Sequence, residues 1–141
     1  MWSNVTVTPS QIAIVEQTTA VVDLDRLTVD FYRRAFAEDP ALSEMFTTDP
    51  VVQRTRFAAE LSEILNSIRS MDAFEETVRA LGELHRGYGV CAAHYRLMGR
   101  ALLAALAAEL GDRWTPEVAE AWSLAYNLTA ETMMLGAMDR G

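Results

Sequence analysis

Four prolines, each preceded by a helix-capping residue, constrain the fold of this chain more than any other feature. Thr8-Pro9, Asp39-Pro40, Asp49-Pro50 and Thr115-Pro116 each place a side-chain oxygen before a residue with no N–H and an already helical φ. The pattern predicts helices starting near residues 9, 40, 50 and 116. Asp23 or Asp25 would start another, and Asp72 another. Gly111 stands where a helix over 96–110 would end in a left-handed cap. No segment sustains two-residue alternation, and the one strand-like run, Val5 to Thr8, is too short to build a sheet. The spacing therefore predicts an all-α chain with seven helical segments, over 9–21, 24–37, 40–46, 50–69, 73–87, 94–110 and 116–138. With 141 residues, short connections and no internal repeat, the expected organisation is one domain, 1–141.

One polar residue stands out against this apolar patterning. Phe74, Val78, Leu81, His85 and Tyr88 recur at spacings of three and four, so they share one helical face. An imidazole on that face needs a partner, because burying a polar group unpaired is costly. Two partners satisfy the spacing equally: a backbone carbonyl, which would make His85 a structural residue, or a metal such as haem iron. His94 is the other histidine, and its place beside Tyr95 at a helix start reads as a solvated position.

Charge and cysteine usage narrow the partners. The net charge is −8, and all twelve basic residues are arginine. Nucleic acid and anionic membrane both demand a basic patch, so neither is expected as a partner. No apolar run is long enough to span a membrane; Ala101 to Ala108 is flanked by Arg100 and Glu109. The N-terminus lacks a basic segment followed by an apolar one, and the single Cys91 has no metal-ligand spacing around it. These features suit a cytoplasmic protein with a free thiol.

Several motifs resemble the bacterial haemoglobin family, and most closely the haem domain of flavohaemoglobins and their single-domain relatives. They are Phe31-Tyr32-Arg33-Arg34-Ala35-Phe36, Asp39 to Phe46, Leu84-His85-Arg86-Gly87-Tyr88-Gly89-Val90, His94-Tyr95 with the helix that follows, and Trp114 to Tyr126. The similarity spans about residues 10 to 135. It implies a globin fold, a three-over-three helical sandwich, holding haem b between the fourth and fifth helical segments with His85 as the iron ligand. It also implies that Tyr32 and Gln53 are the distal residues that act on bound dioxygen. Phe57 would gate the pocket, Phe46 would wedge the haem, and Tyr95 would orient His85. From the residues alone, Tyr32, Phe46 and Phe57 fit an ordinary core as well, and Gln53 fits a solvated first turn. Truncated globins match less well, since they carry paired glycines and this chain has none.

The sequence also departs from the family. Where flavohaemoglobins place a glutamate in the last helix, counting from Trp122 reaches Ala137; Glu131 lies about two turns earlier. Leu84 replaces a lysine usually found near a haem propionate. Arg54, Arg56 and Arg86 are then the candidate propionate partners, or solvated surface charges. The segment between Phe46 and Gln53 is a few residues short, which puts the register of Gln53 in question. No Gly-rich phosphate loop is present. The expected function is reversible binding of dioxygen and nitric oxide, with dioxygenation of nitric oxide to nitrate using electrons from a separate reductase. The alternatives are a gas sensor or oxygen-delivery protein without turnover, and a haem-free interaction module.

Overall fold

The computed structural model describes residues 7–46, 49–87 and 89–138. Six α-helices carry the chain: α1 (Pro9–Val21), α2 (Leu24–Glu38), α3 (Pro50–Ser67), α4 (Met71–Gly87), α5 (Ala92–Leu110) and α6 (Pro116–Met138). Two 3-10 helices, Pro40–Met45 and Gly111–Arg113, join α2 to α3 and α5 to α6. No strand occurs among the described residues. Of the strand-like run, Val5 and Thr6 lie outside them.

The cap-and-proline pairs do what their chemistry dictates. Thr8 accepts from the Gln11 N–H at 3.2 Å and Gln11 returns the bond to the Thr8 backbone at 3.0 Å. Asp39 accepts from Ala41 N–H, Asp49 from Val51 N–H and Thr115 from Val118 N–H. Asp23 caps α2 by accepting from Arg26 N–H. The start of α4 differs from expectation. Ser70 accepts from Ala73 N–H, so the helix begins at Met71, and Asp72 sits inside the first turn. Its charge there favours the positive helix end without being the cap. At the end of α5, Gly111 adopts the expected positive φ of +54°, but its ψ of −119° lies outside the left-handed helical well. That combination leaves glycine as the residue of choice.

α6 packs against α4, α1 and α5, α2 packs against α5, and α3 packs against α4 and α2. Phe31, Phe74, Leu27, Leu106, Val15 and Val78 are fully buried between them. Trp122 of α6 donates its indole N–H to the Thr18 hydroxyl of α1 at 2.8 Å, and Thr18 donates in turn to the Ile14 carbonyl. The buried Trp122 indole is thereby satisfied, as such a group must be.

The closest helix contact is between α4 and α6. A Cβ built at Gly82 would collide with the Met133 carbonyl, and one built at Gly136 would collide with the Arg79 carbonyl. The arrangement is reciprocal: each glycine lies on the partner helix three residues beyond the point where its counterpart presses. Neither glycine has a positive φ. Close backbone approach, not turn geometry, explains them.

Gly111 provides a check on the backbone reading. Gly111→Ala has no side-chain clash to relieve, since nothing lies within 4 Å of the added Cβ. Its cost is backbone strain alone, about 1–2 kcal/mol. Urea unfolding should report that loss; wild-type stability would show that the α5 cap relaxes freely.

Candidate functional site

A cavity of about 270 Å³ opens between α3, α4 and α5, with α2 and α6 closing its other sides. Tyr32, Phe46, Gln53, Phe57, His85 and Tyr95 all line it. The chain thus brings together all six residues singled out from sequence, from four helices and the end of the 3-10 segment.

α4 presents His85 because Phe74, Val78 and Leu81 turn the same face inward. His85 Nδ1 lies 2.7 Å from the Leu81 carbonyl oxygen, one turn back. A carbonyl only accepts, so Nδ1 carries a proton, and in the neutral form of the ring the lone pair is at Nε2. The backbone-bonded state and the ligand state, which the spacing left open, are therefore compatible. Tyr88, expected on the same face, lies outside the described residues. Leu81 of the same helix supplies a bond to the His85 ring. The Tyr95 backbone carbonyl accepts from the Tyr126 hydroxyl at 2.6 Å. Burial pushes the Tyr95 phenol up to about 12, so it stays a neutral donor.

The other wall is aromatic. Phe31 stacks on Phe57 with ring centroids 4.7 Å apart, and Tyr32 meets Phe46 and Phe57 edge to face at 5.5 and 5.9 Å. Tyr32 is only 8% exposed, so its hydroxyl does not turn to the surface. Burial raises its pKa, with the Gln53 amide pulling the other way. Gln53 Nε2 donates to the Tyr32 oxygen at 3.4 Å. The short 46–53 segment therefore does not carry Gln53 out of register: Asp49 caps α3 so that its first turn faces Tyr32.

Two cavity residues, His94 and Glu60, escaped the sequence reading or were read differently, and one of the candidate arginines lines the cavity. His94 is half-buried and lines the cavity. Its Nδ1 accepts from the Cys91 N–H at 3.0 Å. It thereby caps α5, which starts at Ala92 and not at 94, and the ring in its neutral form keeps its proton on Nε2. Arg56 lines the cavity, whereas Arg54 and Arg86 do not. Glu60 lines it too, with a carboxyl raised by burial and lowered in smaller measure by His85 and Arg56. The α3 stripe of Gln53 and Phe57 carries Glu60 on its next turn, a signal visible in the spacing. Cys91 is exposed at the α5 N-cap.

The globin family model matches residues 29–133. The chain belongs to the globin family. It is 32% identical to a flavohemoprotein of Deinococcus radiodurans over 134 residues, covering 90% of this chain and 33% of that protein. A flavohemoprotein of Bacillus subtilis is 28% identical over 128 residues, covering 87% and 32%. The chain spans about a third of the length of these relatives. A protein of Oryza sativa subsp. indica named anaerobic nitrite reductase is 29% identical over 114 residues, 77% of this chain and 79% of its own. Among solved structures, a hexacoordinated heme protein from an anhydrobiotic tardigrade superposes with a TM-score of 0.83 at 14% identity. It covers 96% of this globin and 98% of its own chain, a likeness of fold. The all-α globin fold expected from the sequence is thus established. No described helix is long and apolar enough to cross a membrane.

Two substitutions test the unforeseen residues. Because burial raises the Glu60 carboxyl, the folded chain holds that proton more tightly than the unfolded one. The resulting stability is full below the ordinary carboxylate range and is lost as pH rises through the raised value. Glu60→Gln should raise the melting temperature of the ligand-free protein at neutral pH, and the gain should disappear in acid. A lower melting temperature at pH 7 would mean that Arg56 and His85 outweigh burial. His94→Ala should cost about 0.5–2 kcal/mol through loss of the α5 cap, measurable by chemical denaturation.

Proposed function

We propose that this globin binds one haem b, with His85 as the protein ligand to iron, and uses it to take up dioxygen and nitric oxide. The observation carrying this reading is that one cavity gathers an imidazole of the right tautomer and a buried, neutral tyrosine paired with a glutamine. The residues fit the group. Among the described residues no three His, Cys, Asp or Glu side chains come together as a metal cage. A single histidine suits an iron whose equatorial positions a porphyrin fills. The walls are apolar and aromatic, as a flat macrocycle requires. Arg56 is the one candidate arginine at the cavity and would take a propionate. Phe46 and Phe57 would hold the ring's faces.

When bound, the haem supplies an iron that takes diatomic ligands and changes oxidation state. The remaining chemistry belongs to the chain. Leu81 holds the Nδ1 proton of His85, which orients the ring and sets its basicity. The Tyr32 phenol, unable to ionise near neutral pH, donates a hydrogen bond to a gas ligand in the pocket. Gln53 donates to the phenol oxygen and so leaves the phenol proton to point away from the amide. Phe57 and its stacked partner Phe31 keep water out.

The favoured reaction is nitric oxide dioxygenation, in which nitric oxide, dioxygen and one electron give nitrate. The electron would come from a flavin reductase, and the activity places the protein among gas-detoxifying enzymes of the cytoplasm. A donor as strongly held as Tyr32 favours retention of dioxygen over its delivery, which is why turnover is preferred to a carrier or sensor role.

The purified protein should show a haem Soret band, and His85→Ala should retain haem poorly or lose normal ligand binding. A wild-type ferrous spectrum in that variant, with His94→Ala defective instead, would move the ligand to His94. Tyr32→Phe keeps the ring and removes a donor worth about 1–3 kcal/mol, so dioxygen release should speed up by about one to two decades in stopped flow. Nitric oxide consumption should persist over many turnovers when a flavin reductase and NADH are supplied. Consumption that stops after one equivalent would favour the sensor or delivery role.

A further inference from the structure

The α4–α6 crossing does more than pack two helices. We infer that Gly82 and Gly136 are positioning residues for His85: they let the α6 backbone bear on the peptide unit whose carbonyl holds the imidazole. This rests on the reading of His85 as the haem ligand.

The carbonyl that accepts the His85 Nδ1–H belongs to Leu81, and the same planar peptide unit ends at the Gly82 Cα. That Cα lies against the Met133 carbonyl, with no room for even a methyl group. A rigid unit cannot shift at one end without moving its carbonyl at the other. The Gly82–Met133 contact therefore sets the tilt of the Leu81 carbonyl toward the imidazole. A single contact would leave α4 free to pivot. Gly136 against the Arg79 carbonyl supplies a second point one turn away, which fixes the angle as well as the distance. Met133 ties the device to the pocket from the other side, because its own side chain lines the cavity that His85 faces.

The glycines have no other evident use. Both sit inside helices at negative φ, where alanine is the better helix former. Alanine in either place would force the α4 backbone over residues 79–82 to yield, and a tilted Leu81–Gly82 peptide unit turns the Leu81 carbonyl away from the imidazole. A weaker bond at Nδ1 makes the ring a poorer electron donor to a metal at Nε2.

The test uses the full chain reconstituted with haem and reduced. Gly82→Ala and Gly136→Ala should each shift the iron–histidine stretching band to lower frequency in resonance Raman spectra. They should also release haem to an acceptor apoglobin about 10–100-fold faster. Gly111→Ala is the control: it loses stability at a site remote from the crossing and should keep the wild-type band. Should Gly82→Ala fail to fold, Gly136→Ala carries the test, since it opens the same crossing from α6. Wild-type bands in the glycine variants, even with lower stability or faster haem loss, would overturn the inference. A wild-type chain that takes up no haem through His85 would overturn the haem reading itself, and this inference with it.

Discussion

The contact on which the His85 side of the cavity depends is backbone on backbone. Gly82 and Gly136 bring α4 and α6 together until each glycine touches a carbonyl of the other helix. Glycine inside a helix costs roughly 0.5–1 kcal/mol relative to alanine, so two cost about 1–2 kcal/mol. The gain is shape. Helices that touch through their backbones are held at one separation, whereas helices separated by long side chains can slide. The α4 face inherits that precision: the Leu81 carbonyl and the imidazole it holds, with Met133 of α6 lining the same cavity.

The Tyr32 side of the cavity is built by a different means. Phe31, Tyr32, Phe46 and Phe57 pack ring against ring, and the Tyr32 hydroxyl, the Gln53 amide, Arg56 and Glu60 interrupt the apolar surface. Burial keeps the phenol protonated, so the aromatic packing sets its chemistry as well as its position. The ion pairs contribute little by comparison. Arg26–Glu109 and Arg100–Glu38 link α2 to α5, and Arg69–Glu16 links α1 to the end of α3. The arginine of each is more than half exposed, where such pairs are worth about 0–1 kcal/mol. Apolar burial and the Thr18–Trp122 bond hold the helices together.

The departures from the flavohaemoglobin pattern fit this division. Ala137 stands where that family carries a glutamate, and the imidazole is held by a neutral carbonyl of its own helix. A neutral acceptor draws less charge onto a histidine than a carboxylate does. On the proposed reading, that favours holding a gas ligand over cleaving its O–O bond. Leu84, in the position of the family's lysine, is 46% exposed. The cation nearest the cavity is then Arg56 on α3, among the candidate arginines.

The helices were legible in the sequence because their signals are local. A cap and a proline act on backbone groups within four residues, so Thr8, Asp23, Asp39, Asp49 and Thr115 announce their helices without reference to the rest of the chain. The spacing of Phe74, Val78, Leu81 and His85 likewise belongs to one helix, as does the stripe carrying Gln53 and Phe57. What only the tertiary structure decided are relations between distant segments. Gly82 means nothing until the Met133 carbonyl arrives beside it. Gln53 reads as distal or solvated until Tyr32 is placed against it. His94 looks like a surface residue until α5 is set down beside α4, and three arginines are equivalent until the cavity reaches one of them. Local backbone chemistry is written in neighbouring residues; separation, register and access are set by surfaces meeting from far apart in the chain, and no short-range pattern encodes them.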